Sequence, residues 1–171
     1  MKIGVISDTH GRLDPRVMEV FRGVDRILHA GDVGGEEILV ELGALAPVTA
    51  VAGNTDGFPL AERLRETEIL DLGGLRVLLT HQVGDPERPS APLVSLMETT
   101  RPGLVVFGHT HAPFDQLIRG VRFFNPGGAG PRRFSLPRTV ALLELGPAVG
   151  IEARFIPLDS TSAAIMKGRH S

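Results

Sequence analysis

One repeated coincidence restricts this chain more than any other feature: short apolar runs of strand length stop, one after another, on small clusters of Asp, His, Asn and Gly. Lys2 to Ser7 runs into Asp8-Thr9-His10, Arg26 to His29 into Gly31-Asp32, and Val48 to Ala52 into Gly53-Asn54-Thr55-Asp56. Leu75 to Thr80 runs into His81, and Leu104 to Phe107 into Gly108-His109-Thr110-His111. Helical patterns separate the first of these runs. Asp14-Pro15 supplies an N-cap and first-turn proline for a helix through about Phe21, and Glu36 to Leu42 makes a second helix ending at Gly43. Such alternation predicts βαβ units and a largely parallel sheet. Ligands of α/β sheets bind beyond the carboxyl ends of the strands, so five segments deliver polar side chains to one rim.

The second half changes character. Glu68 to Leu72 and Leu75 to Thr80 flank Gly73-Gly74 and predict a hairpin. A proline-rich loop from Pro86 to Pro92 leads to a helix around Leu93 to Thr99. Phe114 to Arg119, Val121 to Phe124, Thr139 to Leu145 and Ile151 to Pro157 are expected to form an antiparallel meander. At 171 residues with 42% hydrophobic content, one domain spanning residues 1–158 with a real core is expected. The polar segment 159–171 is expected to be a poorly ordered tail.

The residue types set the chemistry. With no cysteine, disulfides, thiolate sites and cysteine nucleophiles are excluded, so any metal must be held by nitrogen and oxygen. Asp8, His10, Asp32, Asn54, His81, His109 and His111 form a mixed set suited to a borderline transition metal rather than to Ca²⁺ or Mg²⁺. Seven candidates are too many for one four-coordinate ion and suit two divalent ions, Mn²⁺ foremost, with Ni²⁺, Fe²⁺ or Zn²⁺ as alternatives. Two ions about 3.5–4 Å apart serve in-line displacement at phosphorus. Taken singly, Asp8-Thr9-His10 reads as a capped turn, His81 as a core histidine, and Asn54 as a residue favoured in left-handed turns of any protein. Jointly, turns and caps give no reason for these types to end successive strands.

DTH at Asp8 to His10, GD at Gly31 to Asp32, GNTD at Gly53 to Asp56, TH at Thr80 to His81 and GHTH at Gly108 to His111 together resemble the calcineurin-like metallophosphoesterase superfamily. Within it, the short length and the GNTD and GHTH forms look most like the small prokaryotic phosphodiesterases of the YfcE type. The resemblance implies an α/β fold, a four-layer αββα sandwich of two mixed β-sheets with helices on the outer faces. It also implies that Asp8, His10 and His111 hold one ion and Asn54, His81 and His109 the other, with Asp32 as the bridge. The expected activity is hydrolysis of a small phosphate ester, most simply a diester, by hydroxide generated at the metal pair. Asp32, Asn54 and His81 are then the catalytic set, with Asp56 orienting a neighbour or a water.

Two departures bear on substrate choice. Many members carry His after the Asn, where this chain has Thr55, and a hydroxyl is a poor general acid at neutral pH. Val83 stands where the family often has a further histidine. His29 is expected in the core or orienting a carboxylate. Arg12 is a candidate phosphate contact, and Asn125-Pro126-Gly127-Gly128 with Arg132 and Arg133 a candidate anion cradle. The formal charge of -2 argues against a nuclease gripping long nucleic acid tightly. A protein-binding scaffold is the other rival, because a subunit of retromer uses this fold in that way. No apolar stretch suggests a membrane span, a cytoplasmic location is expected, and self-association is open.

Overall fold

The computed structural model describes residues 1–159, so of the expected tail, residues 159–171, all but Asp159 lies outside the described residues, and Asp159 accepts from Arg138 N and Nε. Strands β1 (Lys2–Ile6), β2 (Arg26–His29) and β3 (Val48–Ala50) pair in parallel and alternate with helices α1 (Pro15–Val20) and α2 (Glu36–Gly43). Asp14 caps α1 as the sequence predicts, its side chain accepting from Arg16 N at 3.0 Å with Pro15 in the first turn. A short helix α3 (Leu60–Arg63) follows β3, then the hairpin of β4 (Thr67–Leu72) and β5 (Leu75–Thr80). Gly73 and Gly74, at φ 58° and 83°, supply the two left-handed residues that a two-residue turn between right-twisted strands requires.

The region from Pro86 to Pro92 is more structured than expected. A small hairpin of β6 (Gly84–Asp85) and β7 (Arg88–Pro89) precedes α4 (Ala91–Thr100), which starts early because Pro92 belongs to its first turn. The remaining strands are β8 (Leu104–Val106), β9 (Phe114–Ile118), β10 (Val121–Asn125), β11 (Thr139–Gly146) and β12 (Gly150–Pro157). They do not form one meander. The hairpin β9–β10 joins one sheet, ordered β4-β5-β8-β10-β9, while β11–β12 joins the other, ordered β12-β11-β1-β2-β3. Thr139 to Leu143 is buried throughout, so β11 needs cover on both faces and finds it antiparallel to β1 in the middle of its sheet.

Strand alternation then builds three apolar layers. Ile3, Val5, Leu28, Val77, Leu79, Leu104, Val106, Phe124 and Leu143 fill the space between the sheets. Their alternates Ile6, Ile27, Val140 and Leu142 face outward to pack with Val17 and Phe21 of the α1 region and Ile38 and Leu42 of α2. On the far side, Leu78, Val105 and Phe123 pack with Leu93 and, in part, Met97 of α4. Helix, sheet, sheet and helix are thus stacked as the four-layer αββα sandwich. No helix among the described residues is long and apolar enough to cross a membrane.

Candidate metal centre

The ends of β1, β2 and β3 in one sheet and of β5 and β8 in the other meet at one edge of the sandwich, and all seven candidate ligands converge there. His111 Nε2 lies 3.3 Å from Asp8 Oδ1 and 3.3 Å from His10 Nε2, whose ring it stacks against. His10 Nε2 is 3.8 Å from Asp32 Oδ2, and His81 Nε2 is 3.4 Å from the same oxygen. His81 Nε2 also lies 3.0 Å from Asn54 Oδ1, which is 2.9 Å from His109 Nδ1. Asp8, His111, Asp32 and His81 are buried, whereas Asn54 and His109 are exposed.

The backbone is bent for this convergence. Eight non-glycine residues have positive φ among the described residues, and five of them are Asp8 (56°), His10 (47°), Asp32 (52°), His109 (69°) and His111 (59°). Asn54, the residue type that best tolerates that conformation, is not among them. Close approach also needs glycine. At Gly31, with φ 91°, a Cβ would stand 2.6 Å from His81 Nδ1.

The charge balance inside the cluster fits a cation. His81 Nδ1 is 2.7 Å from Ala30 O, so its proton faces that carbonyl and Nε2 turns a lone pair towards Asp32 and Asn54, themselves acceptors. His10 Nε2 and His111 Nε2 face each other with room for at most one hydrogen, and Asp8 Oδ1 is buried without any hydrogen-bond donor. A pocket lined by opposed lone pairs is unstable unless a proton or a metal ion occupies it. Geometry alone picks out the groups Asp8–His10–His111 and Asp8–Asp32–His81, with donor atoms of each within 4.8 Å of one another.

Protonation equilibria report the same crowding. Burial pushes Asp8 up to about 6, opposed by the Ser7 hydroxyl. For Asp32 burial is outweighed by His81 and by the Thr55 N–H, 2.8 Å from Oδ1, leaving the carboxyl well below the usual carboxylate range. Burial likewise lowers His81, yet its contacts with Asp32 and Ala30 O raise it on balance. Burial, then the positive charge of Arg133, brings His111 down to about 4. Burial also depresses His10 and His109, and Arg133 adds to both effects.

The surrounding residues have their own tasks. The Asp56 carboxylate accepts from Gly34 N and Gly53 N, each at 2.8 Å, and from Val33 N at 3.2 Å, so it ties the loop after β2 to the loop after β3. His29 is fully buried and contacts Thr9 Oγ1 at 2.9 Å, not Asp32. Asn125 is no anion cradle: its Nδ2 donates to Gly108 O at 2.7 Å and Thr110 Oγ1 at 3.1 Å, pinning the GHTH loop. Arg12, Arg132 and Arg133 are exposed, and of these Arg133 acts electrostatically on the cluster. Sequence reasoning missed Gln82 as a site residue, although its place directly after His81 was a usable signal. Its Nε2 is 2.8 Å from Asn54 Oδ1 and 3.3 Å from His109 Nδ1.

Comparison with known proteins agrees with this picture. Residues 1–147 match the calcineurin-like phosphoesterase superfamily domain. A probable metallophosphoesterase of Methanocaldococcus jannaschii is 34% identical over 165 residues, spanning 93% of this chain and 82% of that protein. Among solved structures, Zn-complexed Vps29 from Entamoeba histolytica superposes with a TM-score of 0.78 at 24% identity, over 96% of this chain and 97% of that one. The structure of an archaeal phosphodiesterase gives 0.74 at 25% identity, over 92% of this chain and 100% of the other. The family match over most of the chain and the buried His/Asp clusters at the strand ends lead to one conclusion: the protein belongs to the calcineurin-like phosphoesterase superfamily.

Proposed function

We propose that this protein is a phosphodiesterase acting on a small phosphate ester with two divalent transition-metal ions, Mn²⁺ foremost and Ni²⁺, Fe²⁺ or Zn²⁺ as alternatives. The observation that carries the reading is the set of opposed lone pairs at the rim, with His81 fixed by Ala30 O so that Nε2 faces the Asp32 and Asn54 oxygens. Asp8, His10 and His111 would hold one ion, and Asn54, His81 and His109 the other. Asp32 would lie between them. When bound, such a pair supplies Lewis acidity at phosphorus and a nucleophile ionised near neutral pH for in-line attack.

The chain's own groups tune that chemistry. Asn54 is a neutral oxygen donor, which limits negative charge where an anionic substrate must approach. Arg133 adds positive potential at the same mouth, in keeping with a phosphate ester. Asp56 holds the two carboxylate and carboxamide loops in register through backbone N–H groups. Thr55 Oγ1 lies 3.4 Å from His10 Nδ1 and cannot serve as a strong proton donor at neutral pH. Substrates whose leaving group departs unprotonated, such as aryl esters, are therefore favoured over simple alkyl esters. The net charge of -2 disfavours tight binding of long nucleic acid. The reading includes a cytoplasmic location and leaves room for a homo-oligomer.

Metal analysis of the purified protein, with hydrolysis of bis(p-nitrophenyl) phosphate and p-nitrophenyl phosphate under Mn²⁺, Ni²⁺ and Zn²⁺, tests the proposal. Two ions per chain and preferential diester hydrolysis are expected, with both metal loading and activity lost in Asp32→Ala. Wild-type activity in Asp32→Ala would refute the bridging role. Two bound ions without turnover on either ester would favour the scaffold reading instead.

A further inference from the structure

The seven candidate ligands are not equally well held. Asp8, Asp32, His81 and His111 are each no more than 7% exposed and lie among framework contacts. Asn54 and His109 stand at the open side, and each reaches one further exposed group, Gln82. Three nitrogens surround Asn54 Oδ1: His109 Nδ1 at 2.9 Å, His81 Nε2 at 3.0 Å and Gln82 Nε2 at 2.8 Å. Of these, only the Gln82 amide carries hydrogens in every protonation state, because His81 spends its proton on Ala30 O and the His109 nitrogen has at most one.

An asparagine carboxamide has two nearly isosteric ends, one that can bind a cation and one that cannot. On an exposed side chain, something must select the oxygen-inward orientation. Gln82 Nε2 can give one hydrogen to Asn54 Oδ1, which keeps a second lone pair for an ion. His81 and Val83 on either side are buried, His81 in the site and Val83 in the core under α4, so the backbone that carries Gln82 is fixed.

We propose that Gln82 is a positioning residue for the more exposed of the two metal sites: its carboxamide locks Asn54 with the oxygen inward and so sets the affinity of that site. The inference rests on the two-ion reading above. It makes the sites unequal, the Asp8–His10–His111 ion tight and largely independent of Gln82, the Asn54–His81–His109 ion weaker and dependent on it. Loss of such an orienting contact weakens a metal site by about ten- to hundredfold.

The test is calorimetric titration of chelator-treated full-length protein with Mn²⁺ alone. Wild type should show two binding events. Gln82→Met, which keeps length and removes both donors, should leave the tighter event unchanged and weaken the other about ten- to hundredfold. In an Asn54→Asp background, where either end of the side chain is oxygen, the same Gln82→Met change should have little effect on the weaker event. A merely structural role for Gln82 would show equal losses in both backgrounds, and that result overturns the proposal. So does an unaltered weaker site in Gln82→Met while wild type binds two ions. Fewer than two ions on wild type would instead defeat the two-ion reading and the inference with it.

Discussion

Acidification should destabilise the metal-free protein through His29, and the size of the effect follows from one unusual environment. His29 is 0% exposed. The Thr9 hydroxyl donates to Val33 O at 2.8 Å, so it accepts from His29 Nε2, which fixes the tautomer. His29 Nδ1 is then a buried acceptor with no partner, and a proton placed there would be an unpaired charge away from water. Burial accordingly lowers the imidazole pKa from 6.5 to about 4. A folded-state pKa below the unfolded value means that the unfolded chain binds more protons between those limits. Stability from this group is full above about pH 6.5 and is lost as pH falls towards 4, by roughly 3 kcal/mol at 1.36 kcal/mol per pKa unit. His111 acts in the same direction, and Asp8, raised to about 6, in the opposite one, so the wild-type profile alone does not isolate His29. His29→Gln does: its amide can still donate to Thr9, and it does not titrate. Urea unfolding in chelator at pH 7, 5.5 and 4.5, followed by circular dichroism because the chain has no Trp or Tyr, supplies the comparison. Whatever the offset at pH 7, His29→Gln should gain roughly 2.5 kcal/mol relative to wild type on going to pH 4.5. Parallel profiles would refute the argument.

Asp56→Ala strips the acceptor from three backbone N–H groups, two of them on the loop after β2 that carries Asp32. With water replacing part of the loss, unfolding in urea should report about 2–4 kcal/mol of destabilisation, and Asp56→Asn an intermediate value. Gly108→Ala would drive a Cβ against Ser7 Oγ and to 2.9 Å from Asp8 Oδ2 and Ala30 O. Overpacking there should cost about 1–3 kcal/mol and weaken Mn²⁺ binding at least about tenfold in a calorimetric titration, whereas wild-type affinity would show that Asp8 is not held by this contact.

What the sequence made legible was the local part of the problem. Each strand-length run is buried on one or both faces, and each ends near the residue at which its apolar pattern stops, so the polar clusters after Ile6, His29 and Val106 fall at the rim as expected. Strand partners were not legible in the same way. Alternation tells a strand which face is buried but not which sheet supplies the cover, and the connection from Asn125 to Thr139 changes sheets while passing beside the site. On the way it makes two specific contacts, Ala129 N to Ser7 O at 2.9 Å and Gly130 N to Asp8 O at 3.0 Å. The roles of Asn125 and Gln82 were hidden for a related reason. Both act through side-chain contacts with distant loops, and amide side chains carry no periodic or charge signal.

The strained residues show why the site takes the form Asp-Thr-His on one loop and His-Thr-His on another. In both triplets the first and third residues are left-handed, and the central threonine is not. Thr9 turns its hydroxyl to His29 and Val33 O, and Thr110 accepts from Asn125 Nδ2. Each threonine fastens its loop to the framework while the residues on either side face the cluster. Left-handed backbone costs an L-residue roughly 1–2 kcal/mol. It persists here because the loops are tied together at their backbones, Asp8 N to Gly31 O at 3.0 Å and His10 N to Asp32 O at 2.9 Å, which leaves no relaxed alternative without breaking those bonds. The strain brings lone pairs face to face, which is itself unfavourable among neutral or anionic groups. Two costs accumulated on the same few side chains are offset by positive charge bound between them, which the backbone angles and the donor geometry both favour at this rim.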